Sequence, residues 1–370
     1  MMKNYTTMRA TFLVATLFLC RTVSAQFDFL PQGSQKAEVS QRIGNTDLTL
    51  EYSRPSVNGR KVWGALVPYG MNNLGFGTAT ESPWRAGANE NTIFKTTHDV
   101  SVEGKNLPAG EYGLHMIVNE DNTATIIFSK NHGAWGSFFY DPSEDALRVD
   151  VNTNDTPHVE QLTYSFDNVM PNSTIASLKW EKKQIPFKIE TDVTKNVLAE
   201  IRQQLQTSPG FNRQSWEQAA SFSLNNGGDL DEALSWINAA IEGQFFSEKN
   251  FSNLSIKSQI LEKQGKSAEA KATMDEALPL GTVFEVHAYG RQLIAQGKKD
   301  AALEVFKWNA KKHKGTWPVD FGLARGYSAV GNYRTALKHL KIAEGRAPDQ
   351  ANRNAIASYF PKLEQGEDIN

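Results

Sequence analysis

Arg54, Arg60 and Arg85 each stand within two residues of a proline or glycine, and Asn89 and Glu90 follow Arg85 closely. The segment is thus expected to bring several strong hydrogen-bonding groups into loops between strands. Guanidinium forks bind planar anions bidentately, so such a cluster suits a carboxylate, a phosphate or a sugar hydroxyl. Trp84 or Trp135 would then offer an aromatic floor for a sugar ring. A competing reading needs no ligand. Glu90 pairs with one arginine, the other arginines satisfy loop carbonyls, and Trp84 anchors a long connection in the core.

Four histidines, His98, His115, His132 and His158, lie in the same half of the chain, and none has the His-x-x-x-His spacing that marks zinc. His115 with His132 and Asp141 would make a site only if distant strands brought them together; otherwise His115 is an ordinary sheet residue. Asp141, Glu144 and Asp145 follow Phe138-Phe139-Tyr140. Two such carboxylates could serve as acid and base in glycoside hydrolysis. As a turn, Asp141 would instead bond its own loop backbone and Asp145 would meet Arg148. No Gly-x-Ser-x-Gly elbow or Walker loop is present, and Gly75-Phe-Gly-Thr lacks the lysine and the helix of a phosphate loop. The sequence therefore assigns no catalytic residue, no metal ligand and no cofactor.

The elements that must position these residues are strands. Leu48, Leu50 and Tyr52 alternate with Thr49, Glu51 and Ser53, as a strand covering a core on one side should. Further strands are expected from Val100, at 111–118, 123–129, 147–151, 161–166 and 175–180, with Phe187 and Ile189 closing the set. Short strands at this spacing, punctuated by Gly, Pro and Asn, predict an antiparallel β-sandwich over residues 36–190. A helical pattern begins only after Thr191, with Val197, Leu198, Ile201 and Leu205 on one face. Thr207-Ser208-Pro209-Gly210 reads as the break that ends this helix and linker, residues 191–210.

The segments Tyr52-Ser-Arg-Pro-Ser-Val-Asn-Gly-Arg-Lys, Pro68-Tyr-Gly, Trp84-Arg-Ala-Gly-Ala-Asn-Glu-Asn-Thr, Leu107-Pro-Ala-Gly-Glu-Tyr-Gly, Trp135-Gly and Tyr140-Asp-Pro belong together. Over about residues 36–190 they resemble an uncharacterised bacterial family, domain of unknown function 2911. The resemblance implies an exported β-rich domain and no particular chemistry.

In the second half, Gly228/Ala233, Gly265/Ala270, Gly297/Ala302 and Gly331/Ala336 recur at steps of 37, 32 and 34 residues. In each, the glycine is expected to end a first helix in the left-handed conformation, and the alanine lets a second helix cross close by. Across about residues 211–346 this phasing resembles the tetratricopeptide repeat family, with Trp216 where that family's tryptophan often opens a helix. Residues 211–365 are therefore expected to form a helical-hairpin solenoid, making the chain an α+β multidomain protein. Trp216, Trp236, Trp308 and Trp317 read as packing between helices. The resemblance implies a groove that binds peptides or partner proteins.

Lys3 and Arg9 precede an apolar stretch, Ala10 to Cys20, and Val23-Ser24-Ala25 offers the small residues of a cleavage site. A signal peptide, residues 1–25, cleaved after Ala25 is expected, and with it a periplasmic or secreted protein. The stretch is well short of the roughly 20 residues that span a bilayer, so no stable membrane insertion is expected. Leu19 disfavours a lipoprotein site at Cys20. That cysteine is the only one in the chain, so the mature protein would form no disulfide. A net charge of −2 without basic blocks argues against nucleic acid. The expected role is an exported, non-enzymatic binding or scaffold protein, with a glycan or small anion at the β-domain and an envelope protein at the repeats. An envelope enzyme acting on glycans and a purely structural module are the alternatives.

Overall fold

The computed structural model describes residues 31–243 and 245–370; the expected leader and Cys20 lie outside them. The chain divides into two compact units between Asp192 and Val193.

The first unit is built from ten strands: β1 (Gln35–Ile43), β2 (Thr46–Arg54), β3 (Thr92–Thr96), β4 (Val100–Val102), β5 (Lys105–Leu107), β6 (Gly110–Val118), β7 (Thr123–Ser129), β8 (Asp145–Asn152), β9 (Asn154–Met170) and β10 (Ser173–Thr191). They form two antiparallel sheets, ordered β1-β2-β3-β6-β7-β8 and β5-β4-β10-β9. The alternation at Leu48, Leu50 and Tyr52 buries these side chains with Phe94 and Leu114 of the first sheet and Leu162, Leu178 and Phe187 of the second. One apolar core thus lies between two sheets, as the alternation requires. The second sheet is more continuous than the sequence suggests. Ile175–Trp180 and Phe187–Ile189 are one strand, β10, because the register shifts around Glu181 (φ +54°) absorb the break as a bulge.

Two connections are long. Residues 55–91 join β2 to β3 and residues 130–144 join β7 to β8. The first is tied down by isolated bridges, among them Ser56 to Gln161 of β9 and Trp84 to Met116 of β6. Connections of this length without regular structure are usually kept for function.

The second unit is helical: α1 (Val193–Gln204), α2 (Arg213–Asn226), α3 (Leu230–Glu242), α4 (Phe251–Lys263), α5 (Ser267–Ala277), α6 (Val283–Ala295), α7 (Lys299–Lys312), α8 (Trp317–Ala329), α9 (Tyr333–Arg346), α10 (Gln350–Ala357) and α11 (Phe360–Glu364). α2/α3, α4/α5, α6/α7 and α8/α9 are hairpins, and α1 packs on α2. Ala233, Ala270, Ala302 and Ala336 are all buried where the paired helices cross. Gly265, Gly297 and Gly331 take the left-handed conformation expected of them. In the first hairpin that role falls to Gly227 (φ +76°) and not to Gly228, whose absent Cβ makes room for Ser223.

The stack is uneven. α3 packs on α4, and α8 packs on both α6 and α7, whereas α5 and α6 hardly touch. α5 is the shortest helix of the four hairpins, with 11 residues, and leads straight into a 3-10 turn, Leu278–Leu280. Lys312 pins this turn by donating to the carbonyls of Pro279 and Gly281. The 32-residue step in the sequence is this shortened hairpin.

Candidate functional site

In the β unit the two long connections meet beside β6. Trp84 exchanges backbone hydrogen bonds with Met116 at 2.9 and 2.8 Å. Ser82 donates its hydroxyl to the Ser137 carbonyl at 2.8 Å, and the Ala79 N–H reaches the Phe138 carbonyl at 3.2 Å. His115, buried on β6, completes the joint: its Nδ1 lies 2.9 Å from Ser137 Oγ. Burial, aided by the charge of Arg85, lowers the His115 pKa to about 4, so the ring is neutral at ordinary pH. So weak a base, bonded to a serine that is only 1 % exposed, fits a pin between strand and loop better than a nucleophile's partner.

Between these connections opens a cleft of about 390 Å3, lined by Arg60, Trp84, Arg85, Asn89, Ser137 and Trp180 together with aliphatic and proline side chains. Trp84 and Trp180 stack with ring centroids 6.0 Å apart and form one wall. Trp84 also donates its indole N–H to Gly87 O at 3.2 Å, so it anchors the loop while facing the cleft. Arg85 lies flat on Gly136 and over the Phe138 ring, 5.0 Å from its centroid. Its Nη1 donates to Asn89 O at 2.5 Å. Arg60 donates to the carbonyls of Val57 and Ser56. Asn89, at φ +59°, fixes the loop by donating to Gln32 Oε1 and Ser34 O.

The remaining candidates are elsewhere. Arg54 is spent on β9, donating to Leu162 O and to Thr163 Oγ1. Glu90 pairs with no arginine among the described residues; it accepts from Ser53 Oγ at 3.4 Å, outside the cleft. The arginines therefore serve carbonyls, and the expected Glu90 pair does not form because the loop turns that carboxylate toward β2. Trp135 is 52 % exposed and away from the cleft lining. Asp141 caps a short turn by accepting from Ser143 N, while Asp145 holds Arg148 and accepts from Tyr140 Oη. That is the turn reading of the acidic group. His132 faces Glu111 at 3.9 Å, and no three metal-ligating side chains come together among the described residues.

A larger groove, about 880 Å3, lies in the helical unit where α5 and α6 diverge. Met274, Leu278, Tyr289, Leu293, Val305 and Trp308 line it with Ala301. Trp308 is thus part groove wall, not only packing, with Lys312 over its ring. On the rim three carboxylates are matched by lysines: Lys271 with Asp275, Lys298 with Glu262 and Lys307 with Glu304. The fourth rim lysine, Lys311, has no carboxylate partner among the described residues.

These features define a two-unit protein, an antiparallel β-sandwich with an arginine-lined cleft followed by a stack of tetratricopeptide-like helical hairpins. Residues 34–189 match the model of a family described as protein of unknown function (DUF2911). Solved structures similar to the helical part include YrrB, titled a TPR protein with an unusual peptide-binding site, at 17% identity, covering 45% of this chain and 84% of that one with a TM-score of 0.29. MamA is 15% identical over 45% of this chain and 92% of its own, with a TM-score of 0.30. A tetratricopeptide repeat protein from Parabacteroides merdae ATCC 43184 is 15% identical over 47% and 70%, with a TM-score of 0.31. None of the curated proteins matches the chain.

No sequence pattern points to Ser137 or Trp180, because each lies far along the chain from Arg85: the meeting of two loops brings in Ser137, and the packing of the loop on β10 brings in Trp180. The helical groove had one legible trace, the short repeat step.

Proposed function

We propose that this protein is an exported binding scaffold: its helical unit holds a segment of a partner protein in the groove between the second and third hairpins, and its β unit holds a small ligand in the cleft. The observation that carries the first half is the interruption of the stack. α7 and α8 pack together, whereas α5 and α6 hardly touch: half-buried Tyr289 and Trp308 and exposed Ala301 line an open groove there, together with Met274, Leu293 and Val305, which are themselves buried. This concave groove, lined by apolar and aromatic side chains with a few polar groups on its rim, has the form binding sites take. Its unmatched Lys311 favours a segment whose apolar face carries an acidic residue. Export rests on the leader pattern of residues 1–25 and on the absence of cysteine beyond it; the mature chain would begin at Gln26, which N-terminal sequencing of the protein from a periplasmic or culture fraction checks.

The groove is tested by panning displayed twelve-residue peptides on the full-length protein and re-measuring the enriched ones on Ala301→Glu. Ala301 is exposed, so its replacement should leave the fold intact while placing a charge in the groove. Peptides rich in apolar residues with one or two acids should be enriched, and each should lose at least tenfold in affinity on the variant. Enriched peptides indifferent to Ala301→Glu, or no enrichment at all, would remove the groove from consideration.

A further inference from the structure

We infer that the cleft of the β unit recognises a planar carboxylate carried on an apolar body, with Arg85 as the anchor, Arg60 as the second cation and Trp84, backed by the buried Trp180, receiving the body. This rests on the reading of the cleft as a ligand site and goes further by naming what it takes.

Four observations carry it. Arg60 and Arg85 both line the cleft, and among the described residues no Asp or Glu lines it with them. Neither arginine has a carboxylate partner among the described residues; both are held by neutral carbonyls. Half-buried guanidinium is costly to keep without a counter-ion, and Arg85 is held there by the Phe138 ring on one side and by Gly136, where any side chain would displace it. Burial correspondingly lowers the Arg85 pKa from its usual value.

The donor arrangement chooses the shape of the anion. Arg85 spends Nη1 on Asn89 O, while Nε and Nη2 have no acceptor among the described residues. Two parallel donors from a fixed plane match the two oxygens of one carboxylate. Trp180, lining the same cleft, has a buried indole N–H with no acceptor among the described residues. The body of the ligand is set by what else is there: the Trp84 ring, stacked on the buried Trp180, with Leu66, Leu74 and Pro83. These favour an aromatic or aliphatic group over a sugar, whose hydroxyls need acceptors as well as donors. The volume of about 390 Å3 admits a small molecule or one side chain with its neighbours, not a folded partner.

The test uses the full chain and three probes: phenylacetate, its neutral analogue phenylacetamide, and inorganic phosphate. Binding is followed by quenching of tryptophan fluorescence and by the rise in melting temperature on ligand addition. Phenylacetate is expected to bind at least tenfold more tightly than phenylacetamide and more tightly than phosphate. Arg85→Gln should abolish that preference. Arg85→Lys, which keeps the charge but not the fork, should lose most of it, and Arg60→Gln should weaken binding severalfold. If Arg85→Gln does not fold, Arg85→Lys and Arg60→Gln decide the matter between them. Equal binding of acid and amide would overturn the carboxylate while leaving a cleft for neutral ligands. Preference for phosphate would overturn the planar, apolar-bodied ligand. A flat response to all three probes at tens of millimolar would sink the inference together with the cleft as a ligand site.

Discussion

Gly136→Ala offers a direct check on how Arg85 is seated. Gly136 has φ +62°, where an L side chain costs about 1–2 kcal/mol. A Cβ built there would lie 2.4 Å from Arg85 Cζ, 2.5 Å from Nη1 and 2.7 Å from Nε. All three atoms are the far end of a flexible side chain, so the guanidinium will move and the backbone will not. On leaving it forfeits its bond to Asn89 O, a charged hydrogen bond worth about 1.5–3 kcal/mol, with the lower figure applying because the freed group regains water. The sum is about 3 kcal/mol, or roughly 6 to 12 °C for a unit of this size. Urea and thermal unfolding followed by the fluorescence of the cluster of buried Trp63 and Trp180 with half-buried Trp84 would read it. In an Arg85→Ala background the clash is gone, so the same substitution should cost only the backbone strain of about 1–2 kcal/mol. Gly133→Ala, with open space around its Cβ position, is the control and should stay within about 0.5 kcal/mol. Equal costs of Gly136→Ala in the presence and absence of the Arg85 side chain would refute the seating of the guanidinium on this glycine.

Three further outcomes follow from the same geometry. His115 is neutral in the fold down to about pH 4, whereas an unfolded histidine takes up its proton near 6.5. The β unit should therefore be fully stable above about pH 6.5 and lose up to roughly 3 kcal/mol as the pH falls toward 4, a slope that His115→Gln removes; urea midpoints at pH 7 and 4.5 measure it. Gly345, in the last turn of α9 with nothing described near its Cβ position, should accept alanine with a gain of up to about 0.5 kcal/mol, whereas Gly297→Ala at φ +76° should lose about 1–2 kcal/mol; helical ellipticity against urea distinguishes them. Phe306, fully buried and ringed by Gly290, Gly322 and Gly326, should cost about 3–5 kcal/mol as Phe306→Ala, visible in the same titration.

Much of the fold was legible because it is periodic. Alternation at residues 48–53 yielded a strand with one face buried, and the small Ala233, Ala270, Ala302 and Ala336 announced helix crossings. The left-handed glycine of the first hairpin was misplaced by one residue because Gly227 and Gly228 are neighbours, and composition cannot tell which of two adjacent glycines turns the chain. The site was half legible. Arg60, Trp84, Arg85 and Asn89 share a cleft, yet Arg54, Glu90, Trp135 and Asp141 do not. Whether a loop side chain turns toward a cleft or toward a strand edge is decided by contacts far along the chain, such as Ser82 to Ser137, and no local pattern encodes those.

The same reasoning explains why both candidate sites lie at departures from regularity. A regular solenoid would close α6 against α5; the short α5 and the 3-10 turn held by Lys312 instead leave half-buried Tyr289 and Trp308 lining a groove. A regular sandwich would join β2 to β3 by a tight turn. The long connection instead carries two arginines to a cleft that no Asp or Glu lines among the described residues. Each departure exposes apolar surface or strands a charge, and each costs stability that a closed stack or a short hairpin would keep. Shortening the crossover or lengthening α5 by one turn should therefore raise the melting temperature while abolishing binding at the corresponding site. A stabilised variant that still bound its probe would mean that the departure is incidental to recognition.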